Sequence, residues 1–174
     1  MRHFTCSILL PLLLLTSQAN AESSFFVSPS IGNASIQNIK GYGEATFLRV
    51  DGRYHPIPEV GVGIFAALYD GFRSNSEGNP VDISLNGYGV GVTGKWPVHP
   101  HVQPYVRLDY MIWNAESTGL YRTLGKDKGG SPGIALGIQV PIKKIFGVRA
   151  EVSNYNNVSG ANIRQFLVGL TLEF

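Results

Sequence analysis

The sequence predicts an all-β fold, an eight-stranded antiparallel up-and-down barrel that crosses a membrane with its strands. Three observations predict it. Apolar residues recur at every second position in eight separate segments, and no segment carries a helical period. The connections alternate between short turns and longer polar loops. The last segment, Asn162 to Phe174, sets Phe166, Val168, Leu170, Leu172 and Phe174 on one face and stops on the aromatic. A soluble edge strand is normally guarded by charge or proline, so this stripe suits a strand whose apolar face meets lipid.

The N-terminus carries an address. Met1-Arg2-His3 is basic, Ile8 to Leu15 is apolar apart from Pro11, and Ala19-Asn20-Ala21 has the small-x-small pattern of a signal-peptidase site. Residues 1–21 are expected to be a cleaved secretory signal and 22–174 the barrel domain. The apolar run is too short for a membrane helix, which takes about 20 residues. Cys6, the one cysteine, falls inside the signal, so the exported chain has no disulfide to hold it. What remains is one domain with thirteen basic residues against twelve acids. No basic patch points to nucleic acid, and no charge block points to a disordered tail.

The strands then read in order. Ser24 to Ile31 alternates Phe25, Val27, Pro29 and Ile31 against Phe26, Ser28 and Ser30. A second strand covers about 44–54 and a third 59–69, separated by a turn at 55–58 containing Pro56 and Pro58. The fourth, about 81–95, changes parity between Ile83/Leu85 and Tyr88/Val90/Val92, and a bulge near Asn86-Gly87 would reconcile the two. The fifth, 102–113, alternates most regularly. The sixth sets Pro132, Ile134, Leu136, Ile138 and Val140 outward, and the seventh Phe146, Val148, Ala150 and Val152. Loops are expected at 33–42, 70–80, 114–131 and 154–161, and short turns at 55–58, 96–101 and 141–144. A soluble lipocalin-like barrel is the competing architecture. It fits poorly, because the face opposite the aliphatic stripe mixes Gly and Ala with Arg and Tyr, as the packed interior of a narrow barrel requires.

Certain stretches carry a family resemblance. They are Phe25-Phe26-Val27-Ser28-Pro29-Ser30-Ile31-Gly32, Gly147-Val148-Arg149-Ala150-Glu151, Tyr155-Asn156-Asn157-Val158-Ser159-Gly160 and the closing Val168-Gly169-Leu170-Thr171-Leu172-Glu173-Phe174. The chain resembles the OmpA-like eight-stranded bacterial outer-membrane barrels, including small stand-alone members of the OmpX type. The resemblance implies residence in the Gram-negative cell envelope, contact with outer-membrane lipid and lipopolysaccharide, and a C-terminal strand read by the barrel-assembly machinery through Phe166, Val168, Leu170, Leu172 and Phe174. The sequence stops at Phe174, so the peptidoglycan-binding domain of full-length OmpA, and a cell-wall tether with it, is not expected.

The candidate site is the lumen. Arg49, Asp51, Arg53, Glu59, Arg107, Asp109, Arg149 and Glu151 fall on the inward parity, with Glu173 beyond them. Charges of both signs in a narrow interior must pair. The expectation is an ion-pair network that plugs the barrel, leaving a structural or surface-interaction role with loops 70–80 and 114–131 available to an extracellular ligand. The alternative is a narrow channel for ions or small solutes. A lipid A-modifying enzyme ranks third, because His55, His99 and His101 all fall in short turns away from the long loops where a rim triad would sit. No cofactor or metal is expected: the His99-x-His101 pair reads as solvated turn histidines. Gly89-Val90-Gly91-Val92-Thr93-Gly94 fits a dinucleotide fingerprint literally, but no helix follows it.

Overall fold

The computed structural model describes residues 23–39, 41–74, 81–96, 98–99, 101–118, 123–143 and 145–174. The signal segment 1–21 lies outside the described residues. Eight strands, β1 (Ser24–Ile36), β2 (Ala45–Ile57), β3 (Val60–Arg73), β4 (Asp82–Lys95), β5 (Gln103–Thr118), β6 (Thr123–Lys143), β7 (Phe146–Val158) and β8 (Ala161–Glu173), pair in sequence order. β8 returns to β1, antiparallel throughout, and closes the barrel. Both described ends meet at one rim, where the Phe25 amide donates to the Phe174 carbonyl at 3.0 Å and the Phe174 amide returns a bond to Phe25 at 2.9 Å.

The outer face decides between membrane and water. Ile64 is 67 % exposed, Leu68 61 % and Leu136 60 %, and Leu48, Val50, Val90, Leu108 and Ile134 lie on the same face. A continuous aliphatic belt of this kind is what a bilayer solvates and water does not. Phe25, Tyr54, Trp96 and Phe174 ring its lower edge, the aromatic girdle of a membrane interface. The short turns and the chain ends share that rim, which is therefore the periplasmic one.

Several expected boundaries move, each for a physical reason. The segment expected as the longest loop, 114–131, is largely paired strand: Asn114 faces Lys128, Ala115 faces Asp127 and Glu116 faces Lys126. β5 and β6 thus form a hairpin that rises past β7, since β6 pairs with β7 only from Gly133 downward, while β4 follows β5 up to the Asp82–Thr118 pair. Alternation of apolar and polar residues reports lipid on one side. Beyond Ala115, which still packs in the core, the residues are polar or small and the pattern vanishes while the ladder continues. β7 likewise runs to Val158, past a register shift between Tyr155 and Val158. Ser159 (φ 51°) and Gly160 (φ 79°) then make the left-handed pair of a tight hairpin.

His55 is not in a turn. β2 continues to Ile57, and a register shift between Tyr54 and Ile57 absorbs Pro56, which has no amide for the ladder. β4 needs no bulge at Asn86-Gly87. Its alternation is unbroken, with Ile83 and Leu85 facing inward and Tyr88, Val90 and Val92 outward. The irregularity lies across the ladder, in β3 between Tyr69 and Phe72, where Gly71 takes φ 112°.

Candidate functional site: the charged lumen

Long and short side chains alternate from strand to strand around the lumen. β2, β5 and β7 supply the long polar ones at every second position: Arg49, Asp51 and Arg53; Arg107 and Asp109; Arg149 and Glu151. Each has a small residue opposite it on at least one neighbouring strand. Arg49 faces Ala67 and Arg53 faces Gly63; Asp109 faces Gly91 and Gly133; Glu151 faces Gly137; Arg149 faces Gly169. The space is needed. A Cβ on Gly137 would lie 2.5 Å from the Tyr105 hydroxyl.

Asp51 is the hub. Its carboxylate accepts from Arg49 Nη2 at 3.0 Å, Arg107 Nη1 at 3.1 Å and Arg53 Nη2 at 3.2 Å, and from Arg149 Nη2. Arg107 spreads over three acids, donating also from Nε to Asp109 at 2.9 Å and from Nη2 to Glu151 at 2.7 Å. Tyrosines take up further valences, while Asp109 Oδ1 and Arg149 Nη1 make no hydrogen bond among the described residues. Tyr105 donates to Glu151 at 2.7 Å, Tyr155 donates to Asp109 at 2.7 Å, and Arg49 Nη1 donates to the Tyr155 oxygen at 2.8 Å. Arg149 also reaches Ser30 on β1 at 2.9 Å, so the network links β1, β2, β5 and β7 across the barrel. The side chains of Arg49, Asp51, Arg107, Asp109, Arg149 and Glu151 are no more than 2 % exposed. Their mutual pairing, with hydrogen bonds to the leftover lone pairs, is what makes such burial tolerable.

Glu59 does not join them. It sits exposed in the β2–β3 turn, because β2 ends at Ile57 and β3 starts only at Val60. Of the residues named for the C-terminal stripe, Phe166, Val168 and Leu170 face outward on β8, Leu172 is half-buried, and Phe174 is exposed at the rim. His99 and His101 lie exposed in the β4–β5 connection, with the His101 amide donating to His99 Nδ1 at 3.2 Å. Gly89 and Gly91 are inward positions of β4, so the literal dinucleotide fingerprint is part of the small-residue wall.

The lumen has further layers that the inward charges alone did not reveal. Above the ions Arg49 lies 3.8 Å from the Phe65 ring centroid. Phe47, Tyr69, Phe72, Leu85, Met111, Trp113, Ile163 and Leu167 then build an apolar plug toward the extracellular end. Trp113 Nε1 donates to Ser131 at 2.9 Å, and Ser131 in turn donates to the Asn157 carbonyl at 3.0 Å. Below the ions, toward the periplasm, lie His55, Lys95 and Phe26, all buried. A single inward parity along β4 would have placed Leu85 and Lys95 among these layers, had the parity change not been read as a bulge.

The comparisons agree with this architecture. The family model for the outer membrane protein beta-barrel domain matches residues 7–174. No curated protein matches the sequence. Among solved structures, Neisserial surface protein A superposes with a TM-score of 0.71 at 14 % identity, covering 88 % of this chain and 99 % of that one. The N-terminal β-barrel domain of Pseudomonas aeruginosa OprF gives 0.64 at 12 %, covering 86 % and 97 %. Yersinia pestis Ail, in complex with the heparin analogue sucrose octasulfate, gives 0.60 at 15 %, covering 87 % and 97 %. At such identities the likeness is one of fold. The family match spans nearly the whole sequence, and with the lipid-facing belt it makes this chain a member of the outer-membrane protein β-barrel family.

Proposed function

We propose that this outer-membrane barrel is a sealed envelope protein that acts by its structure and its extracellular surface, and that it is not a conduit. One observation carries the reading: the middle of the lumen is filled by the Arg49, Asp51, Arg53, Arg107, Asp109, Arg149 and Glu151 network, whose arginines and acids are almost completely buried. An eight-stranded barrel is just wide enough for its own side chains, and here an apolar plug stands above the ions. The β5–β6 hairpin, carrying Glu116, Lys126, Asp127 and Lys128 beyond the β6–β7 pairing, is the surface offered to an extracellular ligand. Ail, crystallised with a sulfated saccharide analogue, gives a precedent for ligand capture on this fold. Outer-membrane lipid and lipopolysaccharide contact the outer belt. The C-terminal strand, through Phe166, Val168, Leu170, Leu172 and Phe174, serves as the barrel-assembly signal.

Refolding the chain into a planar bilayer tests the seal. The expected record is a heat-resistant folded barrel without discrete single-channel openings. Stable openings that change with Arg107→Ala or Glu151→Ala would replace this reading with a narrow channel.

A further inference from the structure

The lumenal charges do not cancel at the periplasmic end. Among the described residues five cations face inward: Arg49, Arg53, Lys95, Arg107 and Arg149. Three buried acids, Asp51, Asp109 and Glu151, answer them, with half-buried Glu173 at the rim. Arg49 and Arg149 each reach two acids and Arg107 reaches three. Arg53 and Lys95 are left with the least. Arg53 has one carboxylate contact, at 3.2 Å, to an Asp51 already shared by three other guanidiniums. The Lys95 ammonium makes no salt bridge among the described residues and rests 3.9 Å from the Phe26 ring centroid.

His55 completes the group. It is 1 % exposed, its ring meets Phe26 edge-on with centroids 4.7 Å apart, and neither ring nitrogen has a protein partner. Lys95 and His55 therefore share the same phenylalanine ring. Space is kept for the imidazole by Gly61, where a Cβ would lie 2.5 Å from His55 Nε2. Buried cations whose counter-charge is shared or distant are costly, and so is a buried polar group without a partner. A fold that retains all three at one opening has room in its energetics for a mobile anion.

We propose that the periplasmic mouth of the lumen, between Arg53, His55 and Lys95, is a binding site for a small oxyanion of the phosphate class. The guanidinium fork matches two oxygens of such an anion. The ammonium supplies up to three donors and the imidazole one. Arg53 and Lys95 keep 7 % and 6 % exposure at this end of the barrel. Glu173, on β8 opposite Phe26, is the acid that competes for the same cations.

Urea unfolding of the vesicle-inserted barrel, titrated with inorganic phosphate at fixed pH and with ionic strength held constant by sodium chloride, tests the site. A ligand bound only by the folded state raises the folding equilibrium constant in proportion to one plus its concentration over Kd, about twentyfold at twenty times Kd. The expected result is a saturable phosphate effect, weaker with acetate and absent with chloride. It should be lost in Lys95→Met and Arg53→Met and strengthened in Glu173→Gln. Should the methionine variants fail to fold, the ring resonances of His55 in the native chain provide the second readout, shifting with phosphate and not with chloride. Equal responses to phosphate and chloride, an undiminished phosphate effect in Lys95→Met, or unmoved His55 resonances would each overturn the assignment.

Discussion

Replacing Asp51 by Asn keeps the shape of the hub and removes its charge. Four guanidiniums converge on that carboxylate, three of them at 3.0, 3.1 and 3.2 Å. The amide can accept on one oxygen only, and its NH2 group faces donors. Asp109 and Glu151 already serve Arg107, so the freed positive charge has no buried acid to move to. Breaking one partner out of a buried ionic cluster costs about 3–5 kcal/mol. With a urea slope of about 2 kcal/mol/M, the unfolding midpoint should fall by roughly 1.5–2.5 M.

The assay is urea unfolding in vesicles, read by tryptophan fluorescence and by the mobility difference between folded and unfolded barrel on gels. Lys126→Met is the matched control. Its ion pair with Glu116, at 3.2 Å, has about the same length as the Asp51 contacts, but the lysine side chain is 72 % exposed. Exposed pairs contribute about 0–1 kcal/mol, so its midpoint should barely move. A loss below about 1 kcal/mol in Asp51→Asn would refute the claim that burial, not bond length, sets the value of these pairs.

Three further substitutions probe the other layers by the same assay. Ile64→Arg places a charge on the lipid face at a residue 67 % exposed and should cost about 2–4 kcal/mol near the bilayer midplane, against about 0–1 kcal/mol for Thr46→Arg near the extracellular end of β2. Gly137→Val drives a side chain into the Tyr105 hydroxyl and should cost about 1–3 kcal/mol through overpacking. Gly125→Val meets nothing within 4 Å and should leave the midpoint in place. Leu85→Ala removes a side chain that is 2 % exposed within the upper plug and should cost about 2–5 kcal/mol; a negligible change would mean that Leu85 faces lipid and that β4 changes parity after all.

The fold was legible where lipid lies on one side of the strand and packed lumen on the other. There the period of two survives, as in Pro104 to Ile112 or Pro132 to Val140, and both parity and strand identity follow from it. It became illegible for two reasons. Above Ala115, which still packs in the core, Glu116 to Thr118 and Gly125 to Lys128 are polar or small, so no apolar residue recurs at every second place, and a paired hairpin reads as a loop. Inside the barrel the parity inference assumed a uniformly polar lumen. Ile83 and Leu85 broke that assumption without breaking the strand, because the upper third of the lumen is apolar. The charges were visible as inward Arg, Asp and Glu at i and i+2. Their partners Tyr105, Tyr155 and Ser30 were not, since nothing in a lone strand reveals which strand will face it across a closed barrel.

The layering itself has a physical logic. A lumen filled by ions alone would place every charge where a missing partner costs several kcal/mol, and a lumen filled by aliphatics alone would leave the polar mouth to water on both sides. This chain places Phe47, Tyr69, Phe72 and Leu85 above the ions, which lowers the local dielectric and strengthens the pairs beneath them. The same plug screens Asp51 from extracellular salt, so exchange with bulk ions must come from below. On that side the cations outnumber the acids and the mouth carries Arg53, His55 and Lys95. The two ends of one narrow barrel are therefore chemically unequal: apolar side chains fill the extracellular end, and cations outnumber acids toward the periplasmic end. Raising salt should accordingly weaken the exposed Lys126–Glu116 pair far more than the buried hub.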